Sequence, residues 1–256
     1  MIIGLTENNR NAGKEQLQKK SKLIATCFLI ACLLPLFAWT LFRFNIVSSA
    51  PVFRLDIQQP VAKVMTNTSI GTAFMVSPTK LLTARHVLAG LKEGDKVQLT
   101  FEKLEEPRNV EATILFIAPV KSRISGDSAR VPVEYFLDDI AVLEIASIND
   151  ITPLDIGSSD AVALLDDVIL IGYPNGDYSI TKGNINNDKF QSLDLFKLDA
   201  VSNPGNSGGP CILKEDNSVV GILVGGSGPD MQGENIAVKI NTVKALVSAR
   251  GIDLTK

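Results

Sequence analysis

From Val61 onward the chain is broken into short apolar runs set between turn residues: Val61–Met65, Gly71–Val76, Lys80–Thr83, Lys96–Phe101, Glu111–Ile117 and Ile140–Ile145. Regularly spaced runs of this length build sandwiches or barrels. We therefore expect a first β-barrel over residues 61–146, with Ala84–Leu91 as a short helical turn and Lys121–Glu134, which carries Ser, Gly, Asp and Pro, as an exposed insertion. Ser147–Asp160 reads as a connection, since it contains Pro153, Gly157, Ser158 and Ser159. A second barrel is expected over 161–240, its strands including Val168–Ile171, Gln191–Leu198, Cys211–Leu213 and Val219–Val224. Thr242–Arg250 then places Val243, Leu246 and Val247 at helical spacing, which predicts a short C-terminal helix.

Composition narrows the function. With 45% apolar and 21% charged residues, the 256-residue chain is ordinary globular material. A net charge of −3 and a pI near 5.3 argue against a nucleic-acid partner, which calls for a basic excess on one face. Of the three cysteines, Cys27 and Cys32 fall in an apolar span and Cys211 stands alone, so no disulfide framework is expected. One histidine and scattered cysteines offer no ligand spacing for a metal, and no cofactor is implied.

The N-terminus is different material. Residues 1–22 are polar and carry Arg10, Lys14, Lys19, Lys20 and Lys22 against Glu7 and Glu15. Leu23–Phe42 then runs without a charge, long enough as a helix to cross the ~30 Å hydrocarbon core of a bilayer. Trp39 lies near one end, where an interfacial aromatic is favoured. A core helix so evenly apolar would have to be surrounded on all sides. A cleaved signal peptide could use Ser48-Ser49-Ala50, but the apolar run is longer than a usual signal core and Pro51 would follow the cut. The reading adopted is one transmembrane anchor in the lipid bilayer, with residues 43–60 as a tether. The basic cluster precedes the span, so the N-terminus is expected in the cytoplasm and the rest outside it.

The chemistry is concentrated at Asn203-Pro204-Gly205-Asn206-Ser207-Gly208-Gly209-Pro210, where one hydroxyl sits among glycines. A serine becomes a useful nucleophile only with a base to take its proton and donors aimed at the oxyanion that forms. Gly205, free of a Cβ, can turn its N–H into the same hollow as that of Ser207. The only histidine, His86, follows an apolar strand-like run, and the acid pair Asp138-Asp139 leads into another. Neighbouring residues of a strand face opposite ways, so only one of the two acids can face a cleft shared with His86. Histidine, acid, serine is one of the chain orders in which a serine triad occurs.

Thr83-Ala84-Arg85-His86-Val87, Asp139-Ile140-Ala141-Val142-Leu143 and Gly205-Asn206-Ser207-Gly208-Gly209-Pro210 together resemble the three active-site motifs of trypsin-like serine proteases. Gly71-Thr72-Ala73-Phe74, Asp199-Ala200 before Asn203, Ile236-Ala237-Val238 before Asn241-Thr242-Val243-Lys244, and Ile169 to Gly176 further resemble the bacterial HtrA/Deg branch. The likeness covers roughly 61–247. It implies an all-β fold of two six-stranded antiparallel β-barrels, a protease domain over 61–250, and a triad of His86, Asp139 and Ser207. The oxyanion hole would lie at Gly205, Asn206 and Ser207. The base of the specificity pocket would lie near Val201 and its walls near Leu223, Val224 and Ala237, without an acid for a basic side chain. That implies cleavage of polypeptides after small or medium apolar residues. Together with the N-terminal span the likeness leads us to expect a single-pass protein of the bacterial inner membrane with a periplasmic protease domain and a trimer by analogy. With only a few residues after the expected C-terminal helix, the PDZ domain that many HtrA-like proteases append is not expected. Two other readings are a membrane-tethered binding protein with a protease-like fold, and a latent protease that needs a partner. An imidazole acting as base must be neutral, so activity is expected to fall on acidification.

Overall fold

The computed structural model of the chain describes residues 55–120, 133–226 and 234–255. The expected anchor 23–42, the segment before it, residues 43–54 of the tether and most of the insertion lie outside the described residues. Among the described residues no helix is long and apolar enough to cross a membrane.

Six strands make the first barrel: β1 (Val61–Met65), β2 (Ile70–Met75), β3 (Lys80–Thr83), β4 (Lys96–Phe101), β5 (Arg108–Ile117) and β6 (Ala141–Glu144). They close in the order β1-β2-β3-β6-β5-β4, every neighbouring pair antiparallel. Period-two patterning explains why these residues are strands. In β4, Val97, Leu99 and Phe101 point inward while Lys96 and Gln98 face water, and β5 continues the same face with Ala112, Ile114 and Phe116. Closure comes from β1, where Val64 pairs with Gly71 on one side and Leu99 on the other, so the sheet has no free edge.

The second barrel repeats the plan with β7 (Asp167–Gly172), β8 (Ser179–Asn187), β9 (Leu195–Leu198), β10 (Pro210–Leu213), β11 (Val219–Gly226) and β12 (Asn235–Lys239), in the order β10-β11-β12-β9-β8-β7. A helix, α1 (Ile240–Ala249), follows directly and buries Ile240, Val243 and Val247. Two of these strands differ from the sequence expectation. β8 is mostly polar, with only Ile185 fully buried among half-buried and exposed residues, and it is held by a ladder of six residue pairs to β7. β9 begins at Leu195, not Gln191, because Gln191 and Ser192 take φ of 49° and 69° in a turn closed by the Phe190–Leu193 bridge. The helical turn that carries His86 is a single 3-10 turn over Arg85–Leu88.

Leu143 of β6 is fully buried in the first barrel. Truncating a side chain in so closed a space leaves a cavity that the closed sheet cannot fill, so Leu143→Ala is expected to lower unfolding free energy by about 2–5 kcal/mol, read from denaturant melts.

Candidate active site

Strand pairing in the first barrel brings the histidine and the acid together. Thr83 at the end of β3 lies opposite Ala141 at the start of β6, so the residues just after one strand meet those just before the other. His86 Nδ1 lies 2.5 Å from Asp139 Oδ2, and the His86 backbone N–H donates to Asp139 Oδ1 at 2.9 Å. The acid facing the histidine is thus Asp139. An ionised carboxylate only accepts, so Nδ1 is the donor in this pair, and in a neutral ring Nε2 then keeps its lone pair. Asp139 is wholly buried, whereas the His86 side chain keeps 28% exposure.

Ser207 sits in the turn between β9 and β10. The turn is bound to its own barrel by Gly208 N–H to Leu223 O at 2.7 Å and Leu223 N–H to Gly209 O at 3.0 Å. Two glycines make the path sterically feasible. Gly205 has φ of +106° and a Cβ there would stand 2.2 Å from Tyr173 O; Gly208 has φ of +85° and a Cβ there would stand 2.2 Å from Thr72 O. The Pro204 carbonyl accepts from Asn175 N–H at 2.8 Å. Across a trans peptide C=O and N–H point opposite ways, so the Gly205 N–H is directed away from Asn175. Among the described residues neither this N–H nor that of Ser207 donates to a protein group. The Asn206 N–H, by contrast, is turned back to Asn203 O at 3.0 Å, so Asn206 does not offer a third free donor as the sequence reading had it.

Thr72 of β2 joins the two barrels at this point. Its backbone N–H donates to Ser207 O at 2.8 Å, its hydroxyl donates to Gly205 O at 2.8 Å and accepts from Tyr173 N–H at 3.1 Å, and its carbonyl accepts from the Thr83 hydroxyl at 2.7 Å. The residue is fully buried with every polar group paired.

His86 and Ser207 line one cleft of about 390 Å³, within the range of small-ligand sites. Leu223 and Val224 form part of its wall, as the sequence suggested, but Val201 and Ala237 are not among its lining residues. Val201 is 65% exposed and Ala237 is buried in the second barrel's core. In their place stand Ser202, Gly225 and Gly226 from the second barrel and Tyr135 and Phe136 from the first, none of them singled out by the sequence. Phe136 meets His86 edge-on with ring centroids 6.2 Å apart. No acidic side chain lines the cleft among the described residues, and none of those residues forms a cluster able to hold a metal ion. Cys211, close by in sequence, is no second nucleophile: burial pushes its thiol up to about 12.

Two outcomes follow from this geometry. Thr72→Val keeps the shape but leaves Gly205 O and Tyr173 N–H unpaired, and is expected to lower turnover at least about tenfold, while Thr72→Ser retains most of it in the same peptide assay. Cys211 is expected to escape iodoacetamide at pH 8 in the folded protein and to be alkylated after denaturation, read by peptide mass mapping.

Residues 71–222, more than half of the chain, match the family model of the trypsin-like peptidase domain. Similar curated proteins include a DegP-like probable periplasmic serine endoprotease of Chlamydia pneumoniae, 32% identical over 62% of this chain and 30% of its own length. Another is protease Do-like 4, mitochondrial, of Arabidopsis thaliana, 30% identical over 59% of this chain and 27% of its own. The chain thus aligns with less than a third of the length of these relatives. Among solved structures, the HtrA-type protease AlgW with a tripeptide matches at TM-score 0.59 and 23% identity, over 78% of this chain and 63% of that one. An inactive form of Rv3671c from M. tuberculosis H37Rv, with serine replaced by alanine, matches at 0.59 and 21%, over 79% and 91%. The two closed barrels accordingly have the fold of these peptidases, and the chain belongs to the trypsin-like peptidase domain family, with HtrA and DegP proteins among its relatives.

Proposed function

We propose that this chain is a membrane-anchored serine endopeptidase that hydrolyses peptide bonds through an acyl-enzyme on Ser207. The observation that carries the reading is the shared cleft: His86 and Ser207 both line it, and Asp139 is buried against the far nitrogen of the His86 ring. In this mechanism Nε2 of His86 takes the Ser207 proton as Oγ attacks the scissile carbonyl, and Asp139 stabilises the imidazolium that results. The N–H groups of Gly205 and Ser207 receive the oxyanion. His86 then returns the proton to the leaving amine, and a water activated in the same way releases the acyl group.

The apolar cleft wall of Leu223 and Val224 and the lack of an acid there support cleavage after small or medium apolar residues. The charge-free run 23–42 supports a bilayer anchor, with 1–22 in the cytoplasm and a protease domain over 61–250 carried on the outer side by the tether 43–60. The DegP-like relatives are named as periplasmic endoproteases, which favours the bacterial inner membrane, with the domain in the periplasm, and a role in envelope protein processing or quality control. Trimer assembly follows by analogy with HtrA-like proteins alone.

Full-length protein in membranes is expected to react with a fluorophosphonate probe, and Ser207→Ala and His86→Ala are expected to abolish the reaction; wild-type protein that stays unlabelled would sink the proposal. Asp139→Asn should lower turnover by about 10⁴-fold, while Asp138→Asn, on the neighbouring acid, stays within about tenfold of wild type. Peptides differing only at the residue before the cut should be cleaved faster with Val or Ala than with Arg. Turnover should fall as pH drops because a protonated imidazole cannot act as base; a profile flat from about pH 5 to pH 8 would exclude His86 from that role.

A further inference from the structure

Arg85 directly precedes the histidine and is 6% exposed, an uncommon burial for a guanidinium. Its two terminal nitrogens donate to backbone carbonyls of the stretch that leads to the acid, Tyr135 O at 2.6 Å and Asp138 O at 3.0 Å, and, more weakly, to Ala118 O just after β5 at 3.4 Å. The Tyr135 ring lies 4.6 Å from the guanidinium centre, a cation–π distance. The remaining nitrogen, Nε, has no hydrogen-bond partner and stands 3.7 Å from Asp139 Oδ1.

The charge balance makes this contact meaningful. Asp139 is fully buried, and a carboxylate removed from water needs a positive partner or it is held at a severe desolvation penalty. His86 cannot be that partner in the resting enzyme, because its ring must be neutral to accept the serine proton. Among the described residues the only other cation within ion-pair distance of Asp139 is Arg85. The other ionisable groups packed about the pair are Asp138, next in the chain and 6% exposed, and Tyr135 beneath the guanidinium.

We propose that Arg85 is a positioning residue for the triad: it is the permanent counter-charge of Asp139 while His86 is neutral, and it fastens the Tyr135–Asp139 stretch to the turn that carries His86. This rests on the catalytic reading of His86, Asp139 and Ser207. It has a consequence that a purely structural arginine lacks. A fixed cation beside Asp139 opposes protonation of the neighbouring imidazole, so removing the charge favours the imidazolium and moves the acid limb of the activity profile to higher pH.

The test uses the full-length chain in detergent with three substitutions. Arg85→Met and Arg85→Gln remove the charge, the second keeping a donor for the carbonyls, and Arg85→Lys keeps the charge without the planar fork. Turnover per fluorophosphonate-labelled site, KM and the acid limb are measured for each. Both neutral variants are expected to lose at least about tenfold in kcat with little change in KM and to shift the acid limb upward, while Arg85→Lys leaves the limb near its wild-type position. His86 is the only histidine in the sequence, so the ring signals of a histidine-labelled sample belong to it alone and report its titration without any activity. They should move at higher pH in Arg85→Met and Arg85→Gln than in wild type. Equal titration in wild type and in whichever neutral variants fold, or the same shift in Arg85→Lys, overturns the proposal. Wild-type protein that titrates but neither labels nor turns over overturns the catalytic reading instead, and the ring titrations still decide the role of Arg85.

Discussion

Thr72 is the contact on which the site depends, because it ties the serine turn of one closed sheet directly to a strand of the other. Each barrel is closed and satisfies its own ladders, so neither offers an edge to the other. What crosses between them at this point is a set of single hydrogen bonds from one strand of the first barrel to the serine turn and to Tyr173 of the second. Close approach is the condition for these bonds. A Cβ on Gly208 would strike Thr72 O, and one on Gly71 would stand 2.4 Å from the Val87 side chain, in the turn that also carries His86. The Gly71-Thr72 pair thus touches the histidine turn with one residue and the nucleophile turn with the next. Motifs 130 or so residues apart in the chain are complementary halves of one joint.

Much of this was legible because it is local. The strands of the first barrel follow from alternation: five of the six lie within about one residue of their expected bounds, and the sixth, β5, begins at Arg108 where Glu111 was expected. Histidine, acid and glycine-bound serine could be named because their chemistry demands neighbours of recognisable kind. β8 was not legible, because Ser179-Ile180-Thr181-Lys182-Gly183-Asn184 has no apolar face to betray it and its strand conformation is imposed by the ladder to β7.

The cleft wall was legible only in part, for a different reason. Which residues line a cavity depends on how two barrels face each other, and that is settled by contacts between residues far apart in sequence. Val201 and Ala237 carry suitable side chains, but one ends up in solvent and the other within the second barrel. Tyr135 and Phe136 lie just after a stretch that reads as surface insertion, yet they fold back beside His86 in the cleft. Arg85 holds this stretch through the backbone carbonyls of Tyr135 and Asp138, hydrogen bonds that leave no trace in the identity of the residues that accept them.

Burial of Asp139 explains why so much is arranged around one carboxylate. In a low-dielectric pocket its attraction for a developing imidazolium is stronger than it would be in water. The same pocket penalises the bare charge in the resting enzyme, when the imidazole is neutral. Two hydrogen bonds from His86 spread that penalty, and the guanidinium of Arg85 stands near Oδ1, the oxygen that accepts the His86 backbone N–H. A closer arginine would hold the carboxylate more firmly but would weaken its effect on the imidazolium, because both cations draw on the same negative charge. Arg85 Nε stands 3.7 Å from Oδ1 without a hydrogen bond. The guanidinium is kept at that distance by the carbonyls of Tyr135 and Asp138, so the backbone leading into the acid sets the strength of the acid's own counter-charge.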